Sequence, residues 1–536
     1  MLLTQWRGKP RFFSFQPRSV GEGAGSHKAA YGRRKGGVPA ILTLANILIV
    51  AFLIPAAAQT RPPSIAVLGF NNPTSANDYF AESLTDEVAL ALTKAPGMGV
   101  VGRSSVYILH NPGQIIVVSG QPGLSADYVV QGTASKPGTD ARVFVQLLRN
   151  TGRAAQVLWQ AEYQKPFADI FDIEEDIALN VAKALDHPVR LAPGEHLIKI
   201  HTTDLQAYDQ YLHAKVLARG RGAQSLADAS KILETVLTRD SNFEPAAAMI
   251  AYEYALTPLF APALRGNRPD EERALTDRLL PRADVFARRA VALDPKDATA
   301  WVALGYVRLV QHNMIAAEDA FREAIRLDPN QADGLHGYSQ FLAAMGKIKE
   351  SLAMRDHLQA IEPSIVNYTA DTAEIVWLAG DTAKAIQMLQ PFRPGRTLEL
   401  ALILSASGRY HEAASALREM PQTNWPDGLL EKAATLLDTA PAQMPPDSMP
   451  ALGSLSFTFL HVGAPERVLE YYEDEVKGGY FQPISATWFW HPSYAPVRRT
   501  DRFKKLVRDL GMVDYWRARG WPQYCHPTSP SDFVCD

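Results

Sequence analysis

The chain has 536 residues, 47% of them hydrophobic and 21% charged, with a net charge of −3. That length exceeds one ordinary domain, and that composition excludes wholesale disorder. Residues 1–37 hold eight Lys/Arg against the single acid Glu22, so the remainder carries −10; an acidic body argues against a nucleic-acid partner, because phosphate binding needs a basic surface.

The basic leader, 1–37, runs into Val38–Ala58, which contains no charged residue. At a helical rise of ~1.5 Å per residue, such a stretch reaches about 31 Å, enough for a bilayer core. Lys28 to Lys35 lie just before it. The positive-inside rule therefore predicts a single-pass span with a cytoplasmic N-terminus and an exported body. Ala56-Ala57-Ala58 also has the small residues of a signal cleavage site, so anchor and cleaved signal both stand.

After a Pro62-Pro63 linker, Ser64–Phe70 reads as a short buried strand. Ala76–Lys94 reads as an amphipathic helix, with Phe80, Leu84, Val88 and Leu92 on one face. Strands are predicted at 99–102, 126–135, 141–148 and 156–163, and a closing helix at 167–185. Residues 64–186 thus predict a compact α/β domain. Ile65-Ala66-Val67-Leu68-Gly69-Phe70-Asn71-Asn72 followed by Asp78–Glu87, and later Ala126–Gly132, Arg142–Leu147 and Asp169-Ile170-Phe171, resemble the TolB-like amino-terminal domain. Gly69 stands where that family usually has Pro. The resemblance implies a bacterial protein in which this module lies between a membrane anchor and tetratricopeptide (TPR) repeats. With the apolar segment, it implies an inner-membrane protein with a periplasmic body, or one released to the periplasm after Ala58. Relatives of this kind carry a cyclase or winged-helix domain before the membrane, and 37 residues are too few to bury such a core.

Residues 205–420 are helical in pattern, and a tripeptide recurs within them: Leu293-Asp294-Pro295, Leu327-Asp328-Pro329, Ile361-Glu362-Pro363. The prolines are spaced by 34, the period of a helix-turn-helix solenoid. In 298–329, Trp301, Leu304, Gly305, Ala317, Phe321, Ala324 and Pro329 fall on the positions of the TPR pattern, with Arg308 where Tyr is preferred. Gly305 and Ala317 let two helices approach closely, while Trp301 and Phe321 fill the space between units. The next unit ends at Pro363, a third keeps Ala385, and a fourth keeps Gly408–Ala413. Tyr208, Leu212, Ala229, Leu233 and Asp240 look like a divergent first unit. Asp240 to Asp294 exceeds one period, with the excess expected near 258–282, where prolines interrupt the pattern. By resemblance to TPR proteins, helix A lines a concave groove containing Val302, Tyr306, Leu309, His336 and Gln340. A carboxylate clamp is not expected, because Val302 and Tyr306 occupy positions that need polar side chains. Filling of interhelical space is the alternative role for these residues.

Residues 445–536 predict a helical cap with a Trp-rich tail, covering the open end of the last repeat. Cys525 and Cys535, the two cysteines of the chain, are expected to pair in a short loop. No catalytic motif, metal-ligand spacing or cofactor fingerprint is found: His411-Glu412 lacks a second His, and His187, His196 and His201 read as a polar connector. The expected architecture is a small α/β TolB-N-like domain followed by an α-helical TPR solenoid. The expected function is a non-enzymatic, membrane-tethered scaffold for a protein or peptide partner. The alternative is a sensory or regulatory module without its output domain.

Overall fold

A computed structural model describes residues 64–536 except 73–78, 95–98, 102–125, 151–154, 221, 262–267, 363–364, 394–396, 423–424 and 481–485. The amino-terminal part is a small mixed sheet. Its strands β1 (Ser64–Val67), β2 (Gly99–Val101), β3 (Tyr128–Ser135), β4 (Asp140–Asn150) and β5 (Ala155–Pro166) lie in the order β2-β1-β3-β4-β5. β1 runs parallel to both neighbours; β3, β4 and β5 form an antiparallel meander. Strict alternation in β4 sends Ala141, Val143, Val145 and Leu147 inward, all buried. Against them pack Phe80, Leu84 and Val88 of α1 (Tyr79–Thr93) and Ile170, Ile173 and Ile177 of α2 (Ile170–Ala184). On the opposite face Gln131, Gln146 and Gln160 are linked in a row by side-chain amide bonds of 3.4 and 3.1 Å.

The rest is mostly helical. Antiparallel pairs follow one another: α3 (Leu205–Ala218) with α4 (Ala223–Arg239), α5 (Glu244–Phe260) with α6 (Pro269–Leu293), α7 (Ala298–Val310) with α8 (Met314–Leu327), and α9 (Ala332–Ala344) with α10 (Ile348–Ile361). Then come α11 (Val366–Leu378) with α12 (Thr382–Leu389), α13 (Thr397–Ala406) with α14 (Tyr410–Arg418), and α15 (Leu429–Thr439). This is a TPR-type solenoid. Side-chain caps mark several starts: Asp204, Asp297, Asn313, Gln331 and Asp381 each accept a backbone N–H of the first turn. Much of the extra length of the second pair is taken up by α6, which has 25 residues and contains Pro281, while Pro269 opens that helix rather than breaking it. Pro258 lies in the last turn of α5.

The sheet region joins the first repeat through polar contacts between α1, α2 and α3. Ser83 donates to the carbonyl of Leu212 at 3.0 Å, Lys215 reaches Glu87 at 2.7 Å, and the Tyr208 hydroxyl meets Glu174 at 3.2 Å.

The expected single-pass, inner-membrane placement is corrected. Among the described residues no helix is long and apolar enough to cross a membrane. The longest, α6, opens Pro-Asp-Glu-Glu-Arg and carries charges throughout, a composition that a hydrocarbon core would penalise heavily. The apolar stretch 38–58 lies outside the described residues, as does Pro363.

Candidate partner-binding face

One face of the array is formed by the first helices of three successive pairs, α7, α9 and α11. In the unit 298–329, Ala317, Phe321 and Ala324 are fully buried, and Trp301 and Leu304 are half-buried. The Trp301 indole donates to the carbonyl of Pro295 at 3.0 Å. A Cβ on Gly305 would lie 2.7 Å from the Phe321 ring, so only glycine permits this approach of α7 to α8. Pro329 sits exposed in the turn after α8.

The five groove residues divide into two groups. Val302, Tyr306 and Leu309 are 2%, 7% and 2% exposed, so they offer almost nothing to a partner. Two glycines of α9 explain this. A Cβ on Gly334 would meet Val302 at 3.2 Å, and one on Gly337 would meet the Tyr306 ring at 2.8 Å. Val302 and Tyr306 therefore fill the space between consecutive repeats. Tyr306 also packs edge-on against Tyr252 and Phe321, at 5.0 and 5.4 Å between centroids.

His336 and Gln340 are less deeply buried, and the His336 side chain keeps 12% of its exposure. Both reach toward α11, where Asp371 accepts from the Gln340 amide at 3.0 Å and lies 3.7 Å from His336 Nδ1. Beneath them Arg355 of α10 is fully buried, with Nη1 3.1 Å from His336 Nδ1 and Nη2 3.7 Å from Asp371. Burial lowers the Arg355 pKa, and Asp371 opposes that shift. The His336 ring packs against Tyr368 at 4.7 Å, tilted by 35°, and the Tyr368 hydroxyl donates to Asp333 at 3.3 Å. The result is a polar cluster shared by α9, α10 and α11. Its buried Arg355 carries no sequence signal.

Next to this patch lies the C-terminal segment. It contains α16 (Leu469–Gly478), α17 (Asp501–Asp509), α18 (Met512–Arg519) and a hairpin of β6 (Cys525–Pro527) and β7 (Phe533–Cys535), closed by a Cys525–Cys535 disulfide of 2.03 Å. It reaches beyond the last repeat, back onto earlier ones. Trp488 donates to Glu374 at 3.1 Å, Trp490 to the carbonyl of Ala344 at 2.8 Å, and Trp516 to that of Met345 at 3.2 Å. Tyr515 donates to Glu318 at 3.1 Å, and His491 stacks on Trp377 at 4.1 Å. Glu374, walled in by this packing, has its pKa pushed well up by burial and by neighbouring carboxylates.

A cavity of about 280 Å³ lies within the C-terminal segment, beside Ser456, Phe459, Glu470, Glu473, Asp474 and Lys477. Its acids are engaged: Glu470 with Arg467, Glu473 with Arg502, and Asp474 with Lys477. Among the described residues no group of three or more His, Cys, Asp or Glu is placed to hold a metal ion. In the connector, His196 pairs with Glu175 at 2.9 Å and His201 lies 3.6 Å from Glu244.

The chain matches no family model. It is 27% identical over 211 residues to "Putative adenylate cyclase 3" of Rhizobium meliloti, covering 39% of this chain and 35% of that protein. It is 26% identical over 243 residues to cellulose synthase operon protein C of Xanthomonas axonopodis pv. citri, covering 42% of this chain and 16% of that protein. The chain thus spans 35% and 16% of these curated relatives' length. Among solved structures it is similar to TTC0263, a thermophilic TPR protein of Thermus thermophilus, at 15% identity and a TM-score of 0.28 over 40% of this chain and 99% of that one. It is also similar to PilW, a type IV pilus biogenesis factor, at 18% identity and a TM-score of 0.27 over 40% of this chain and 96% of that one.

Proposed function

We propose that this protein is a non-enzymatic scaffold that binds a protein or peptide partner through its TPR-type repeats. The observation that carries the reading is the polar cluster of His336, Gln340 and Asp371, which keeps a small exposed edge and is held on three packed helices with Arg355 beneath it. Pre-ordered polar side chains on rigid elements bind a peptide without first losing their own freedom. Val302, Tyr306 and Leu309 support the patch from within the array. The sheet region, read as TolB-like, supplies a second contact surface fused to the first repeat. A regulatory module is the second reading, supported by the similarity to the cyclase relative.

The test is site-specific photocross-linking in the full chain. A photoreactive residue at position 336 or 340 is expected to capture one discrete protein or peptide, while the same residue at exposed Arg326, on α8, captures none. Equal capture at all three positions, or none at any, would remove the proposal.

A further inference from the structure

The joint between the C-terminal segment and the repeat array contains two carboxyl groups with no cation aimed at them. Glu272 in the first turn of α6 is 3% exposed and Glu475 on α16 is 1% exposed. Oε1 of Glu272, Oε2 of Glu475 and the hydroxyl of Thr276, one turn along α6, are buried without hydrogen-bond partners. The helices touch closely here: a Cβ on Gly478 would lie 2.6 Å from Oε2 of Glu272. The neighbouring cation, Arg273, is spent on other atoms. Its Nε and Nη2 donate to the carbonyls of Lys477 and Val476, at 2.8 and 3.1 Å, and so cap the end of α16.

The other titratable or charged groups facing the joint are few. Asp277 on α6 lies 3.9 Å from Arg273. On α16 the Tyr471 hydroxyl donates to Glu475 at 2.8 Å, with Tyr472 beside it. Tyr480 follows α16, with Tyr306 of α7 facing it, and His312 after α7 faces Arg273. Two ionised carboxylates in such a place would repel each other and lose their water.

We propose that Glu272 and Glu475 form a proton-gated latch: α16 stays docked on α6 while the pair holds its protons, and loosens as they leave. Burial pushes the Glu272 carboxyl up to about 7 from an ordinary 4.5, against the opposing effect of Arg273. Burial pushes Glu475 well above its ordinary value, and the charge of Glu272 adds to this. The docked state therefore binds more protons than the undocked one. Docking is full below the ordinary carboxyl range, weakens as pH rises from about 4.5 to about 7 through Glu272, and weakens further as Glu475 titrates. No such response belongs to the Arg273 cap.

The experiment is amide hydrogen exchange of the full chain, read as protection factors for Leu469–Gly478 at about pH 5 and about pH 8.5. In the wild type, protection relative to α9 is expected to fall by about tenfold or more, since each unit of pKa shift is tenfold. Glu272→Gln/Glu475→Gln is expected to abolish that fall. Arg273→Ala is expected to lower protection at both pH values while the fall persists, because the two carboxyl groups remain. Constant protection in the wild type, or the same fall in the double variant, overturns the latch. If the double variant does not fold, a ¹³C carboxyl titration of the wild type decides: a Glu272 midpoint near 7 supports it, and one near 4.5 overturns it.

Discussion

Trp490 donates its indole N–H to the carbonyl oxygen of Ala344, 146 residues away in the chain, at 2.8 Å. Ala344 ends α9, and the last carbonyls of a helix have no partner within it. Trp516 does the same for Met345. Between them Gly346 turns the chain at a φ of +80°, and a Cβ there would lie 2.4 Å from Pro522 and 3.1 Å from the Trp490 ring. The Trp-rich segment is thus a cap on a helix end in the middle of the array. Trp490→Phe leaves a buried carbonyl without its donor and is expected to cost about 1–3 kcal/mol. Trp516→Ala removes a fully buried indole and is expected to cost about 3–5 kcal/mol. Urea unfolding measures both, and two losses within about 0.5 kcal/mol, as for ordinary surface positions, would contradict this packing.

Gly305→Ala tests the contact between α7 and α8. The new methyl would sit against the rigid Phe321 ring, which is itself fully buried. Overpacking of this kind is expected to cost about 1–3 kcal/mol, against a small gain in helix propensity. A more stable variant in thermal unfolding would show that the ring can yield.

Stability is expected to fall at alkaline pH. Burial raises Glu253 to about 8, although Ser230 donates to it at 3.1 Å, and raises Glu244 to about 9. Both bind more protons in the folded chain than in the unfolded one. Their contribution is complete below about 4.5 and is lost as pH rises to about 8 and about 9. On the acid side, burial holds His461 and His491 down at about 4. These imidazoles are neutral when folded, so stability is also lost as pH falls from 6.5 toward about 4. Urea midpoints across this range are expected to form a dome, with Glu253→Gln flattening its alkaline side. An alkaline side unchanged by Glu253→Gln would contradict the assignment.

The Cys525–Cys535 bridge closes a loop with a sequence separation of 10. The chain-entropy model gives about 2.5–3 kcal/mol for such a loop. Cys525→Ser/Cys535→Ser is expected to lose roughly that amount, with local fraying of the Phe533 contacts to Trp516 and Trp521. Equal urea midpoints for the two proteins would refute this.

Much of the local structure could be read from the residues themselves. The alternation of Val143, Val145 and Leu147 marks a strand, and Trp301, Gly305 and Phe321 mark a helix pair, because these signals sit within one element or one repeat. Contacts between distant segments could not be read. That Trp490 caps α9 follows from a chain reversal with no local trace. Helix position puts Tyr306 and His336 on one groove, yet Tyr306 is packed between repeats while His336 turns to Asp371 and Arg355. Gly337, three residues after Gly334, decides this by opening room for Tyr306. Buried Arg355 looks in sequence like any solvated helix arginine.

The repeats and the C-terminal segment form one packed body, joined through Trp488, Trp490, Tyr515 and Trp516. Urea unfolding near pH 6, followed by hydrogen exchange in α9 and in α18, tests it most directly. The account predicts a single transition with coincident midpoints for the two helices. Loss of α18 protection at lower urea, with α9 still protected, would contradict it.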